Sequence, residues 1–337
     1  MKKTALLFLL LITISCQTKN QHENEEFVIS FGSCNKQYAE NILWPEISAN
    51  NPDIWIWGGD VIYADTDDMI KLEADYNQQW NQKGYKEFAE SLTVLGTWDD
   101  HDYGLNDGGY EFHKKNESQQ LFLDFIKVPE NDARRNQEGV YHSQLFNIKD
   151  GSIKIIVLDT RFFRTELTHS NDPTKRYQPN SYGEGTVLGE QQWSWLEKEL
   201  TNSTADFNVI VSSIQFLSYL HGYESWGTFP HEVDKLKSLI KDSNANGVLM
   251  LSGDRHISEF SSTKIDGLKN PLVDFTSSGL THSYAGFTGE ENPDRIGEVV
   301  SELSFGILKF DLKAKKITMQ MRGKDNKLQQ EHIQSYN

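Results

Sequence analysis

The chain has 337 residues, with 33 lysines and arginines against 49 aspartates and glutamates, for a formal charge of −16. Aromatic residues reach 12%, which excludes a disordered chain, and the length suits one large core or two small ones. The acidic balance counts against a binder of the nucleic-acid backbone, which needs a basic face, and against a surface that coats anionic lipid, but it does not show whether some carboxylates are metal ligands.

Residues 1–16 read as an export signal. Lys2 and Lys3 precede the apolar run 5–12 (ALLFLLLI), which is too short to span a bilayer. Thr13-Ile14-Ser15-Cys16 follows and resembles the lipobox of bacterial lipoproteins, with Cys16 as the lipidated residue of the mature N-terminus. Residues 17–26 (QTKNQHENEE) carry no apolar residue and read as a solvated tether. The expectation is an exported chain whose one membrane contact is the N-terminal lipid. Cys34, the second of two cysteines, then has no partner for an internal disulfide. By itself it is either a small buried hydrophobe or a metal ligand or nucleophile.

From residue 27 onward, short runs rich in β-branched residues predict strands at 27–31, 53–57, 92–98, 152–158, 207–213, 247–252, 271–276, 304–311 and 316–321. Helix-like segments lie at 38–49, 69–90, 117–127, 189–201 and 231–241. Strands with helical crossovers imply sheets covered by helices. The stretch 165–188 is polar and reads as a long loop, of the kind that often carries function.

Strand after strand ends in polar residues. FVISF runs into Gly32-Ser33-Cys34-Asn35, DIWIW into Gly58-Gly59-Asp60, LTVLGTW into Asp99-Asp100-His101-Asp102, IIVL into Asp159-Thr160-Arg161, and VLMLS into Gly253-Asp254-Arg255-His256. In α/β sheets the ligand crevice lies outside the carboxyl ends of the strands. Asp60, Asp99, Asp100, Asp102 and Asp254 would repel one another there without a cation. Oxygen donors suit hard cations, and imidazole and thiolate suit transition metals. A mixed set predicts two different metals sharing a carboxylate, a pair that serves displacement at phosphorus. Among the arginines that could fork a phosphate oxygen, Arg161 is the best placed by position, followed by Arg164 and Arg255. Singly, each element has a bland reading as a turn, a cap or a structural histidine; together they point to one site.

The strings Gly32-Ser33-Cys34-Asn35, Gly59-Asp60-Val61-Ile62-Tyr63-Ala64-Asp65, Thr97-Trp98-Asp99-Asp100-His101-Asp102-Tyr103-Gly104-Leu105-Asn106-Asp107, Leu158-Asp159-Thr160-Arg161 and Ser252-Gly253-Asp254-Arg255-His256 resemble the PhoD-type alkaline phosphatases, a branch of the calcineurin-like metallophosphoesterases. The resemblance runs in order from about residue 27 to 311. It implies a four-layer α/β/β/α sandwich in a single catalytic domain, 27–337, with a dinuclear centre of iron (ferric) plus calcium, other divalent metals being possible, and a phosphate-ester substrate. Carried over, Asp60 is the bridging carboxylate, Cys34 and Tyr63 ligate the ferric metal, Asp254 and His256 share a centre, and Asn106 is an amide ligand of the calcium-like metal. Asp100 and His101 are catalytic, His101 serving the leaving oxygen, and Arg161 binds phosphate. Tyr63 is expected on a helical turn after Asp60, and Asp254 and His256 on an extended segment whose alternation points both the same way.

The chain departs from the larger members, which carry an N-terminal β-sandwich domain, and no C-terminal lid helix is evident. That reading gives an open site and leaves monoesters, diesters, phospholipids and polymers as alternatives. A reading of another class is a non-catalytic surface lipoprotein that binds glycans or phosphorylated ligands through Trp193, Trp195, Tyr219, Tyr223 and Trp226. His282 is a further residue that can approach the metals.

Overall fold

The structure is a computed structural model that describes residues 26–336. The signal, Cys16 and nearly all of the tether lie outside the described residues. In chain order the strands are β1 (Phe27–Gly32), β2 (Ile54–Gly58), β3 (Thr93–Thr97), β4 (His142–Ile148), β5 (Gly151–Val157), β6 (Thr168–His169), β7 (Tyr177–Gln178), β8 (Phe207–Val211), β9 (Val248–Ser252), β10 (Ser258–Thr263), β11 (Leu272–Ser277), β12 (Arg295–Val300), β13 (Phe305–Asp311), β14 (Lys316–Arg322) and β15 (Leu328–Ser335). The α-helices are α1 (Trp44–Ser48), α2 (Met69–Trp80), α3 (Tyr85–Ser91), α4 (Asp100–Tyr103), α5 (Lys115–Phe125), α6 (Gly189–Thr201) and α7 (Pro230–Asp242).

Two mixed sheets face each other. One has the order β15-β14-β13-β1-β2-β3 and the other β12-β10-β11-β9-β8-β5-β4. The strands β1, β2 and β3 are parallel to one another, as are β5, β8, β9 and β11. Strand periodicity sorts their side chains. In β2, Ile54 and Ile56 point into the core between the sheets with Ile29, Phe31, Val209 and Leu251. Trp55 and Trp57 point the other way, against Trp44, Leu72, Tyr85 and Phe122 of the helices on that face. In the second sheet Ile153, Ile155 and Val157 face inward, while Ile156, Ile210 and Met250 face Leu196, Leu200, Leu236 and Ile240 of α6 and α7. The layers are therefore α/β/β/α, as expected.

The helix expected at 69–90 is two helices. Gly84 starts α3 with φ +85, and the turn before it lets the Gln82 amide donate to the carbonyls of Gln37 and Ala39. The segment 38–49 is helical only over α1, which Pro45 opens. The 165–188 loop holds one short hairpin, β6 against β7.

Candidate metal centre

The parallel strands deliver their C-terminal loops to one end of the sandwich, and the glycines there set how close the loops come. Gly59 has φ +94, and a Cβ on it would sit 2.6 Å from the Asp99 Cβ. A Cβ on Gly253 would sit 2.5 Å from the Gly58 carbonyl oxygen. The two Gly-Asp pairs thus exist because backbones touch where the acids converge. Four of the expected ligands are themselves left-handed: Cys34 (φ +60), Asp60 (+50), Asp254 (+69) and His256 (+54). Non-glycine residues held this way cluster at functional sites. This corrects two expectations about local structure. Asp254 and His256 sit on a turn, not an extended segment, and residues 61–63 form no helix. The left-handed backbone does the aiming instead.

Asp60 lies at the centre. Donor atoms of Cys34, Asp60 and His256 fall within 4.8 Å of one another, as do those of Asp60, Asp100 and His101, and those of Asp60, Asp99, Asp100 and Asp254, so the turn sends His256 and Asp254 to different groups and not to the one centre expected of them. The Cys34 thiol donates to Asp60 Oδ2 at 3.2 Å, and the Tyr63 hydroxyl reaches the same oxygen at 3.3 Å and His256 Nε2 at 2.9 Å. Ser278 Oγ lies 2.9 Å from the Cys34 sulfur and accepts from the His256 N–H at 2.8 Å. Asn106 is exposed on the wall of a cavity of about 330 Å³, beside Asp100, His101, Asp254 and His256. His282 packs its ring 4.4 Å from His256 and 5.1 Å from Tyr63. Asp102 turns away: its carboxylate accepts from the N–H groups of Asp99 and Val61 and caps α4.

Charge at this end is unbalanced. Burial, then the neighbouring Cys34, push the Asp60 pKa far above the usual carboxylate range. Burial also pushes Asp99 up, moves Asp254 up to about 7 with help from Asp100, and lifts the Cys34 thiol to about 11. Burial opposes ionised Asp100, but Arg161, His101 and backbone N–H donors outweigh it and hold that carboxyl low. Burial would likewise lower His101, yet Asp60 and a hydrogen bond to Asp65 raise it to about 10. Asp60 Oδ1, Asp99 Oδ2 and Asp100 Oδ1 are buried with no hydrogen-bond partner. Buried carboxylate oxygens that no protein donor satisfies are uncommon in folded proteins, and the donor chemistry here fits cations: thiol, phenol and imidazole at one side of Asp60, carboxylates at the other.

Arg161 is not where a phosphate fork is needed. It is fully buried, with Nε 2.6 Å from Asp99 Oδ1 and Nη1 2.5 Å from Glu224 Oε2. Arg164 is also buried, its Nε 3.0 Å from Glu224 Oε1. Both guanidiniums are committed to carboxylates, so the expectation that Arg161 binds substrate phosphate is corrected: it anchors Asp99. Sequence reading passed over Glu224 because a lone Glu in a loop carries no signal until its two partners are known. The ring platform proposed for glycan binding is also reduced, since Trp193 and Trp226 belong to the core under α6 and α7; Tyr219 and Tyr223 are partly exposed, and Tyr223 lines the cavity.

The loop carrying Tyr223 depends on a neutral histidine. His221 Nδ1 accepts from the Tyr223 N–H at 3.1 Å, and Nε2 lies 3.2 Å from the Ser218 carbonyl. Burial first, then Arg255, lower the His221 pKa to about 3. An unfolded histidine titrates near 6.5. The folded value is the depressed one, so the contribution is complete above pH 6.5 and is lost as pH falls from 6.5 toward 3. The expected slope is about 1.4 kcal/mol per pH unit. The unfolding free energy lost between pH 7 and 4.5 should therefore be about 2–3 kcal/mol smaller in His221→Gln than in wild type, measured by denaturant titration; equal acid sensitivity in the two proteins refutes the assignment.

The two-sheet sandwich is a fold shared with solved phosphatase structures. The description of the PhoD-like phosphatases matches residues 14–324, and the chain belongs to that family. Alkaline phosphatase D of Bacillus subtilis (strain 168) is 29% identical over 153 residues, which are 42% of this chain and 26% of that protein, so the match spans about a quarter of that relative's length. A solved structure of PhoD superposes with a TM-score of 0.70 at 19% identity, over 92% of this chain and 68% of that one. A dimetal phosphatase from Danio rerio gives 0.52 at 14% identity, over 92% and 99%. GAP50, the anchor in the inner membrane complex of Plasmodium, gives 0.57 at 13% identity, over 93% and 89%.

Proposed function

We propose that the chain is an exported, lipid-anchored, metal-dependent phosphoesterase, with residues 27–337 as its catalytic domain. The fold alone does not decide this, since one structural relative is an anchor and another a phosphatase. The observation that carries the reading is Asp60, shared by three donor groups, with three buried carboxylate oxygens, its own Oδ1 among them, that no protein donor satisfies. Cys34, Tyr63, His256 and Asp60 form the side suited to iron; Asp60, Asp100, Asp254 and Asn106 form the side suited to a harder cation such as calcium. Bound there, such cations would neutralise the carboxylates, acidify a water and take up charge on phosphoryl oxygens.

The protein's own groups do the rest. Asp65 holds His101 Nδ1 at 2.8 and 2.9 Å from its two oxygens, and Tyr63 stacks on the imidazole at 4.1 Å. That fixes the ring, leaving Nε2 as the nitrogen to hand a proton to the leaving alkoxide. Asp99, held by Arg161 and by the Ser213 hydroxyl at 2.6 Å, keeps the third strand end in register with Asp60.

Elemental analysis of purified protein, followed by turnover of an aryl phosphate and a bis-aryl phosphate, tests the reading. About two metals per chain and chelator-sensitive hydrolysis are expected; a metal-loaded protein that cleaves neither ester overturns it. The anchoring half is tested separately by Cys16→Ser, which should move the protein from the membrane fraction to the soluble one.

A further inference from the structure

With Arg161 and Arg164 committed inside the protein, the cavity still has two guanidiniums on its wall, Arg176 and Arg255. Arg176 is carried by the long 165–188 loop and its side chain is 49% exposed. Its ion pair is a single contact, Nη2 to Asp107 Oδ2 at 2.6 Å, on an oxygen that also accepts from the Tyr177 hydroxyl at 2.6 Å. Asp107 in turn donates its N–H to Asp100 Oδ2 at 2.6 Å. The loop is thus latched to the wall of the metal centre while the guanidinium stays at the mouth. The pair is one-point and exposed on the arginine side, and pairs at the surface are worth only about 0–1 kcal/mol, so an incoming phosphate oxygen can compete for the guanidinium. Arg255 lies between Asp254 and His256 in the chain. It is 8% exposed, its Nη2 contacts both oxygens of Glu290 at 2.7 and 2.9 Å, and its guanidinium lies 4.2 Å over the Tyr223 ring. Glu290 and Tyr223 therefore hold this guanidinium in the wall, and Arg176 is the one of the two whose side chain stands exposed.

We propose that Arg176 is a substrate-binding residue that selects phosphomonoesters over diesters, an inference that rests on the phosphoesterase reading above. A monoester near neutral pH carries close to two negative charges on three terminal oxygens, because its second pKa is about 6; a diester carries one charge on two. Fork-shaped donors gain most from the more highly charged group. The cavity of about 330 Å³ has room for a phosphoryl group beside the Arg176 side chain.

The test uses the metal-loaded protein and two non-reacting probes, inorganic phosphate and dimethyl phosphate, measured by titration calorimetry, alongside KM for the aryl and bis-aryl phosphates. Arg176→Gln should weaken phosphate binding and raise the monoester KM by about 10–100-fold, the value of one charge-assisted hydrogen bond. It should move the dimethyl phosphate affinity and diester KM by less than about 3-fold, on the same scale, and leave the metal content unchanged. Arg176→Lys should recover part of the loss. An Arg176→Gln protein that binds phosphate as wild type does, or that weakens both probes equally, overturns the clamp. If phosphate binding falls as expected while wild type hydrolyses neither ester, the clamp stands and the catalytic reading fails, so the two are separable.

Discussion

Asp60→Ala should abolish turnover and metal loading together, and should at the same time make the metal-free protein more stable than metal-free wild type. The second half follows from electrostatics. Asp60 is buried against Cys34, Asp99 and Asp100, and burial with these neighbours drives its pKa far up. Without cations the group is a liability, because burial and the thiol and carboxylates beside it outweigh the attraction of His101 and the hydrogen bonds from Cys34 and Tyr63. With cations it is shared by every donor group, so its loss removes the centre. Thermal melts with chelator and with added metal separate the two effects. Wild type should gain about 3–4 kcal/mol from metal at 100–1,000 times its dissociation constant; Asp60→Ala should gain almost nothing and start higher in chelator. His101→Ala is the contrast, expected to keep its metal and lose about 10²–10⁴-fold in rate, the usual worth of a positioned proton donor. Full activity in Asp60→Ala, or metal loss in His101→Ala, would sink the assignment of these roles.

What the sequence disclosed follows from which physical signals are local. The parallel strands β2, β8 and β9 are buried on both faces, so they read as continuous apolar runs, and their polar ends stood out against them. The edge strands β4, β12 and β15 did not read as strands at all. Each borders its sheet, is half solvated, and carries sequences such as LQQEHIQS in which no apolar face needs to be complete. β10 (SEFSST) is mostly buried yet polar, because Glu259 is paired with Arg295 from the neighbouring strand β12, a partner invisible to any local pattern. The donors of the metal centre were legible as types at strand ends; their aiming was not. Positive φ at Cys34, Asp60, Asp254 and His256 is imposed by tertiary packing against residue preference, so the helical turn at Tyr63 and the extended Asp254–His256 segment were reasonable local guesses that the packed structure overrides. The role of Arg161 failed for a related reason. Its position at a strand end was right, but Glu224, 63 residues away in the chain, decides which way its charge is used.

That use sets the expected behaviour of Arg161→Met. The side chain is wholly buried, holds Asp99 through Nε, and shares Glu224 with Arg164. Methionine restores most of the volume and none of the charge. Asp99, whose second oxygen already lacks a partner, would then be left with the Ser213 hydroxyl as its remaining side-chain donor. Removing one member of a buried ion pair costs about 3–5 kcal/mol, because the other charge stays behind. Urea unfolding of the chelated protein should show a loss of that size. A phosphate-binding arginine on the surface of the cavity would behave otherwise, with stability changed by less than about 0.5 kcal/mol and the deficit confined to KM. Arg161→Met and Arg176→Gln should therefore fail in opposite assays. Adding metal should restore part of the Arg161→Met stability, since cations beside Asp99 and Asp100 replace some of the lost positive charge, whereas metal should do nothing for the phosphate affinity lost in Arg176→Gln. An Arg161→Met protein as stable as wild type but impaired in phosphate binding would return Arg161 to the substrate and remove the case for the loop arginine.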